Sequence, residues 1–530
     1  MSTETVTAVR GLRPRLSMLG AADMEYVHGQ SLKLLAEVGV RFGSERALAA
    51  LRAAGARIDE DTGIARLPRD LVESGIARAP KSVLLAARDP AKDALLDHTS
   101  SWATHDGMGA MTLDHRSGER RPSTARDLVQ AMTLADALDE IGVLWYTVCP
   151  CDEMPRLQAL RGLQAMLAGS AKHVQGAVVD PLEVPYAMEI VAAASDDGLW
   201  RPERPIFSII YCPVSPLQHD RDSLEAAMLL AELSVPIGIY SLAMAGATAP
   251  VTLAGTIVQT NAEILATISL LQLTAPGCPL IYVANAAIMD MRSSSYVSAG
   301  PEVILLNLAL TELGRFYGLP VLSCGLSTEA KELSVQGGAE GAPTALCSML
   351  AGADLLTGAG MLDSAQLLYL PKLVLDAEII AQGRRLLQGL VLDDEHVMLD
   401  VLARVGPGGH FLGERETRRF LHEGEHMLPR LFTRSPYAAW AAAGQHELER
   451  AAATVDEILA THRPLPLPPG ADEKIEQVIA AARRELPADL RDSRQVVDEP
   501  ADAGSGQHIS EVLDVPISSA DKFREQTSRR

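Results

Sequence analysis

From residue 125 to about residue 389 the chain alternates two patterns of apolar positions. Segments with apolar residues three and four apart, the spacing of an amphipathic helix, take turns with short runs that are apolar throughout, as strands covered on both faces must be. Helices are predicted over 125–138, 156–167, 182–194, 222–233, 252–273, 301–317 and 341–351. Strands are predicted over 142–148, 173–179, 206–211, 236–240, 280–283, 320–323 and 354–357, with an eighth expected within 103–113. Regular βα alternation over this length predicts an α/β protein built on a TIM-type (β/α)8 barrel rather than an open doubly wound sheet. No G-x-G-x-x-G opens a helix, which weakens the dinucleotide-binding alternative.

The flanks read differently. Residues 1–20 look like a flexible arm. Met24, Val27, Leu32, Leu35 and Val38 recur near helical spacing with Gly39 as a stop, Ser44 suits the cap of a second helix, and 67–77 form a third before a strand-like 82–87. The expected organisation is a helical N-terminal region at 21–100, the barrel at 101–389, and a helical C-terminal region at 390–486 that packs on the barrel. The run PLPLPP at 464–469 is a stiff connector within that last region. The stretch 487–530, charged and rich in Gly, Ser and Asp, is expected to be a disordered tail.

Composition refines this picture. Of 530 residues 47% are apolar but only 4% are aromatic, so the core must be built from Ala, Leu and Val. The net charge of -21 argues against nucleic acid and anionic membranes, which are bound by basic patches, and mildly favours a cationic substrate or a basic partner. An acidic surface by itself is ordinary solubility. The six cysteines are scattered, and with no signal-like start and no run of about 18 apolar residues the expectation is a reduced, soluble, cytoplasmic chain.

In such a barrel the residues at the carboxyl ends of the strands share one mouth, so their types outline a candidate site. Cys149 and Cys151 form a C-x-C without a second pair or a nearby His, so packed thiols and no metal are expected there. Asp152 could hold a cation or cap the next helix. Tyr211 and Trp145 offer faces for a cation, with core packing as the alternative. Asp290 follows the strand at 280–283. Glu329 and Lys331 bring opposite charges to another strand end, where a surface salt bridge is the competing reading. His410 sits on a glycine-flanked loop where backbone can approach a ligand closely, or serves to cap or dock a helix. His105 and Asp106 occupy an equally ambiguous loop position.

The wording of many segments in order carries a resemblance. These are GERRPSTARDL (118–128), LADALDEIG (134–142), SPL (215–217), MAGATAPVTLAG (244–255), NAE (261–263), QLTAPGCPLIY (272–282), MDMR (289–292), RFYGLP (315–320), GAGMLDS (358–364), LVLDAEI (373–379) and GGHFL (408–412). Over residues 15–485 the chain resembles the trimethylamine methyltransferase family, whose members move a methyl group from a methylated amine to the cobalt of a corrinoid protein. The archetypal members carry pyrrolysine and this chain has none, so it resembles the branch that demethylates quaternary amines such as glycine betaine, proline betaine and carnitine. A quaternary ammonium departs as a neutral tertiary amine, already a good leaving group, so no covalent activator is needed.

Around 327–340 the family commonly has SDSK followed by D-x-Q-A-G-Y-E, whereas this chain has STEAKELSVQGGAE. Lys331, Gln336, Gly338 and Glu340 match, as do Asp290 and Asp376, while Ser334 and Ala339 replace an Asp and a Tyr. The resemblance and the strand-end positions together nominate Glu329, Lys331 and Asp290 as catalytic. Asp152, Tyr211, Gln336 and His410 are nominated as substrate-binding, with Lys331 also suited to a substrate carboxylate. A small methylated amine, no tightly bound cofactor or metal, a corrinoid (cobalamin) presented by a partner protein, and a homo-oligomer complete the expectation. A barrel enzyme of unrelated lyase or hydrolase chemistry and a non-catalytic methylamine-binding protein stay open as alternatives.

Overall fold

The computed structural model describes residues 10–12, 14–99, 101–444 and 446–488, so the predicted tail lies outside the described residues from 489 onward, as do residues 1–9 of the arm. Eight parallel strands form one sheet in chain order. They are β1 (Trp102–His105), β2 (Val143–Trp145), β3 (His173–Gly176), β4 (Phe207–Tyr211), β5 (Ile237–Ile239), β6 (Leu280–Ala284), β7 (Val321–Cys324) and β8 (Leu355–Ala359). The sheet curls round until β8 pairs with β1, and the remaining gap is bridged at Ala103–Ile141, where the Gly142 N–H donates to the Ala103 carbonyl at 2.9 Å. This is the TIM-type barrel that the alternation predicts.

Every residue of β4, β6 and β8 is buried, as strands between a filled interior and a helical coat must be. The predicted strands 142–148 and 173–179 leave the sheet early, at Trp145 and Gly176. The coat consists of α1 (Ala125–Ala137), α2 (Gln158–Gly169), α3 (Val184–Ala193), α4 (Arg221–Glu232), α5 (Leu253–Thr274), α6 (Pro301–Phe316), α7 (Val335–Ala351) and α8 (Leu370–Gln388). Helix α7 begins six residues before the predicted 341, since its first turns (VQGGAE) are too small and polar to show an apolar stripe. A capping box starts α1, in which Thr124 accepts from the Asp127 N–H and Asp127 returns the bond to the Thr124 N–H.

Ahead of the barrel, helices Ala21–Glu37, Glu45–Ala53 and Arg69–Arg78 pack against α5, so that helix is buried nearly all round. A small sheet of Val40–Phe42, Arg57–Asp59 and Ile64–Arg66 joins them and pairs with Gln218–His219 from the loop after β4. After the barrel, Glu447–Thr461 packs on α8 and α1, and Ala471–Glu485 runs along α3 towards the mouth. There the Tyr186 hydroxyl donates to Glu485 at 2.6 Å. Among the described residues no helix is long and apolar enough to cross a membrane.

Candidate active site

A cavity of about 830 Å³ lies at the carboxyl ends of the barrel strands. Trp145 closes β2, Tyr211 closes β4, Tyr240 follows β5, and Asp106 and Gly107 follow β1; all five line it. Three aromatic rings therefore converge in a chain that has few.

Local packing fixes those rings. Trp145 and Tyr240 meet edge to face, 5.9 Å apart at 73°. The Asn285 side-chain N–H donates to the Tyr240 hydroxyl at 2.9 Å. Gly107 is required where it stands, since a Cβ there would lie 2.7 Å from the Trp145 indole. The Tyr211 hydroxyl lies 2.6 Å from Nδ1 of His219, whose ring is stacked between Tyr211 and Phe42. Burial lowers the His219 pKa to about 3, so the imidazole is neutral, and burial raises the Tyr211 and Tyr240 phenols well above their usual range. The rings thus act as neutral faces.

Asp106 is the buried carboxyl of this wall. It is nine-tenths buried, its Oδ1 accepts the Gly107 N–H at 2.9 Å, and it forms no ion pair among the described residues. Burial pushes its carboxyl above the usual range, with the Gly107 N–H, Thr357 and Lys372 opposing. Lys372 is committed elsewhere: its ammonium donates to Asp376 at 2.6 Å and to the Leu326 carbonyl at 3.0 Å, while Asp376 accepts the Gly360 N–H at 2.8 Å. This buried pair clamps α8 to the loops after β7 and β8. A second clamp is Glu263 on α5, which accepts from Ser215 Oγ at 2.7 Å, the Leu217 N–H at 2.8 Å, Ser241 Oγ at 2.5 Å and Gln259 at 2.9 Å. It ties the loop after β4 to the end of β5.

Of the residues nominated from sequence, Tyr211 lines the cavity and the other six do not. Asp152 is exposed and accepts the N–H of Ala125, the first residue of α1, at 3.0 Å. Asp290 is held by Arg292 at 2.8 Å, a bond that takes its pKa to about 2. Glu329 accepts the N–H groups of Ser298 at 2.6 Å and Ala299 at 3.1 Å, together with the Ser364 hydroxyl. Lys331 makes an exposed ion pair with Asp363. Gln336 donates to Glu340 at 2.9 Å, and Glu340 in turn accepts the Glu329 N–H at 2.8 Å and the Thr328 hydroxyl at 2.7 Å. Glu329, Gln336 and Lys331 thus share the segment after β7, braced by one hydrogen-bonded chain. His410 is exposed on the loop between helices Leu399–Val405 and Arg415–His422, no residue of which lines the cavity.

Asp106, Gly107 and Tyr240 are among the lining residues that the strand-end reading does not nominate, as are Asp180, Asp220 and Asp222, and Trp145 it sets against core packing. The end of the eighth strand, expected only somewhere within 103–113, was the missing landmark, because Asp106 follows that strand directly. Its neighbour His105 faces away, fully buried, with both ring nitrogens unpartnered among the described residues, and burial takes its pKa to about 3.

Metal-ligating patterns lead nowhere comparable. His422, Glu423 and His426 spell H-E-x-x-H, but the helix ends at His422 and Gly424 has a φ of 90°, so the two histidines do not stand on successive turns. Among the described residues no three His, Cys, Asp or Glu side chains are grouped as a metal site would need.

Comparison with known proteins adds a family. A family model described as "Trimethylamine methyltransferase (MTTB)" matches residues 1–487. A glycine betaine methyltransferase of Desulfitobacterium hafniense (strain Y51) is 32% identical over 90% of this chain and 99% of its own length. The trimethylamine methyltransferase of D. hafniense (strain DSM 10664 / DCB-2) is 30% identical over 85% of this chain and 91% of its own. Among solved structures, a dihydropteroate synthase from Coxiella burnetii aligns with a TM-score of 0.34 at 12% identity, covering 57% of this chain and 98% of that one.

Proposed function

Because the chain belongs to the trimethylamine methyltransferase family, we propose that it moves a methyl group from a quaternary amine in the aromatic cavity to the cobalt(I) of a corrinoid carried by a partner protein. The observation that carries this reading is the meeting of Trp145, Tyr211 and Tyr240 in one cavity with Asp106, a buried carboxyl that has no ion-pair partner among the described residues. A quaternary ammonium cannot donate a hydrogen bond, so it is recognised by aromatic faces and by diffuse negative charge. The cavity supplies both.

In the transfer the C–N bond breaks with its electron pair left on nitrogen, and the methyl carbon bonds to the pair that cobalt(I) brings. The amine leaves neutral and the cobalt becomes methyl-cobalt(III), so no further oxidant, reductant or proton is required. The cation loses its charge on the way, hence rings and carboxylate hold the substrate more tightly than the transition state. Their contribution is capture and alignment of one N–CH₃ bond towards the mouth, from which the corrinoid would approach, and the apolar wall keeps water away. The Glu263 clamp holds the loop after β4 and the end of β5, next to Tyr211 and Tyr240. The chain's own residues are thereby assigned binding, orientation and water exclusion.

The test is to mix the protein with a reduced corrinoid protein and a panel of quaternary and tertiary amines while following cobalt absorbance. Methylation of cobalt with a quaternary amine supports the proposal. Consumption of amine without a corrinoid protein would replace it with lyase or hydrolase chemistry, and binding without transfer would replace it with a sensor.

A further inference from the structure

The charge of the cavity narrows the substrate further, and this step rests on the reading just given. Four carboxylates line it, Asp106, Asp180, Asp220 and Asp222, and among the described residues no Lys, Arg or His does. Asp106 is buried beside Trp145 and Tyr240, whereas the other three are more exposed: Asp180 on the loop after β3, Asp220 at the N-cap of α4 and Asp222 in its first turn. Asp180 accepts the Leu182 N–H at 2.8 Å and Asp220 accepts the Ser223 N–H at 2.9 Å, so both have local capping work, yet neither has a cation partner among the described residues. Asp222 faces the largely exposed Arg221 at 3.6 Å. Beneath the wall, Lys372 is spent on Asp376.

A trimethylammonium group seated against the rings and Asp106 therefore points its remaining substituent at further negative charge. A carboxylate there would meet repulsion with no arginine or lysine among the described lining residues to receive it. A hydroxyl group would instead find acceptors in Asp180 and Asp220 and a partner in Ser223 or Gln366. Lys331, the cation that the sequence suggests for a substrate carboxylate, is outside the cavity and engaged with Asp363.

We propose that the substrate is a quaternary amine without a carboxylate, bearing a methylated ammonium at one end and a neutral hydroxyl-type group at the other. It is choline-like rather than betaine-like.

Isothermal titration calorimetry of the full chain with choline, tetramethylammonium and glycine betaine tests this without any corrinoid. Choline is expected to bind tighter than glycine betaine by about tenfold or more. In the double variant Asp180→Asn/Asp220→Asn, where asparagine keeps the capping bonds but removes the charge, that gap narrows. Glycine betaine binding as tightly as choline, or a gap unchanged in the double variant, would overturn the inference while leaving the cation site standing. Failure of all three cations to bind would instead remove the cation site, and the functional reading with it.

Discussion

Asn285 donates to the hydroxyl of Tyr240 at 2.9 Å, and that bond turns the Tyr240 ring so that it meets Trp145 edge-on at 5.9 Å. The wall is thus held from behind by a polar group that does not itself line the cavity. Replacing Trp145 by leucine keeps the wall apolar but removes its strongest cation-binding face. A cation–π contact of this kind is worth about 0.5–2 kcal/mol, so affinity for a quaternary amine should fall between about twofold and thirtyfold. The loss should appear in KM more than in kcat, because the ring binds the cation rather than the half-neutralised transition state.

Gly107 offers a test that changes no charge. Gly107→Ala places a methyl group 2.7 Å from the indole, so Trp145 must move. Overpacking of this kind costs about 1–3 kcal/mol, and both the denaturant midpoint and amine affinity should drop together. Unchanged Trp fluorescence and affinity would show that the ring does not need its present position.

Two lysines separate the clamp from the surface. Lys372 is buried with Asp376, whereas Lys331 is exposed with Asp363. Lys372→Met leaves a buried carboxylate alone and should cost about 3–5 kcal/mol. Lys331→Ala should cost no more than about 1 kcal/mol, with methyl transfer close to that of the unaltered protein. Urea titrations and the cobalt assay check both values, and a large loss of transfer in Lys331→Ala alone would restore it to the site.

Stability should fall on mild acidification. Burial takes His173 to about 4 and His105 and His219 to about 3, against about 6.5 in an unfolded chain. Each favours the folded state fully above pH about 6.5 and loses that advantage as pH falls towards its folded value, at about 1.4 kcal/mol per pH unit. Asp106 and Asp376, whose carboxyls are raised by burial, act in the opposite sense and offset part of the loss. A denaturant midpoint flat above pH 7 and falling from pH 6.5 to 4.5 is expected, with a shallower fall in His219→Gln.

The fold was legible because parallel strands coated by helices carry an unmistakable pattern, and seven of the eight barrel strands lie on predicted runs. The site was less so. Residue type and strand-end position single out Tyr211, which lines the cavity, but they cannot distinguish a carboxylate that faces the cavity from one that caps a helix, as Asp152 does, or one chelated by its neighbour, as Asp290 is. Several shared motifs also turn out to be framework. Ser215 and Leu217 of SPL meet Glu263 of NAE, and Asp376 of LVLDAEI meets Lys372. Asp106 stayed an ambiguous loop position because β1 is short and a second small strand, Met111–Leu113, follows it within the same predicted run.

The most direct measurement is absorbance-followed methyl transfer to a cobalt(I) corrinoid protein by the unaltered enzyme and by Asp106→Asn. The account predicts transfer from a quaternary amine by the former. It predicts a KM about tenfold or more higher in the latter, with kcat changed far less and the fold retained. Equal KM values in the two proteins, or amine turnover by the unaltered enzyme that does not need the corrinoid protein, would contradict it.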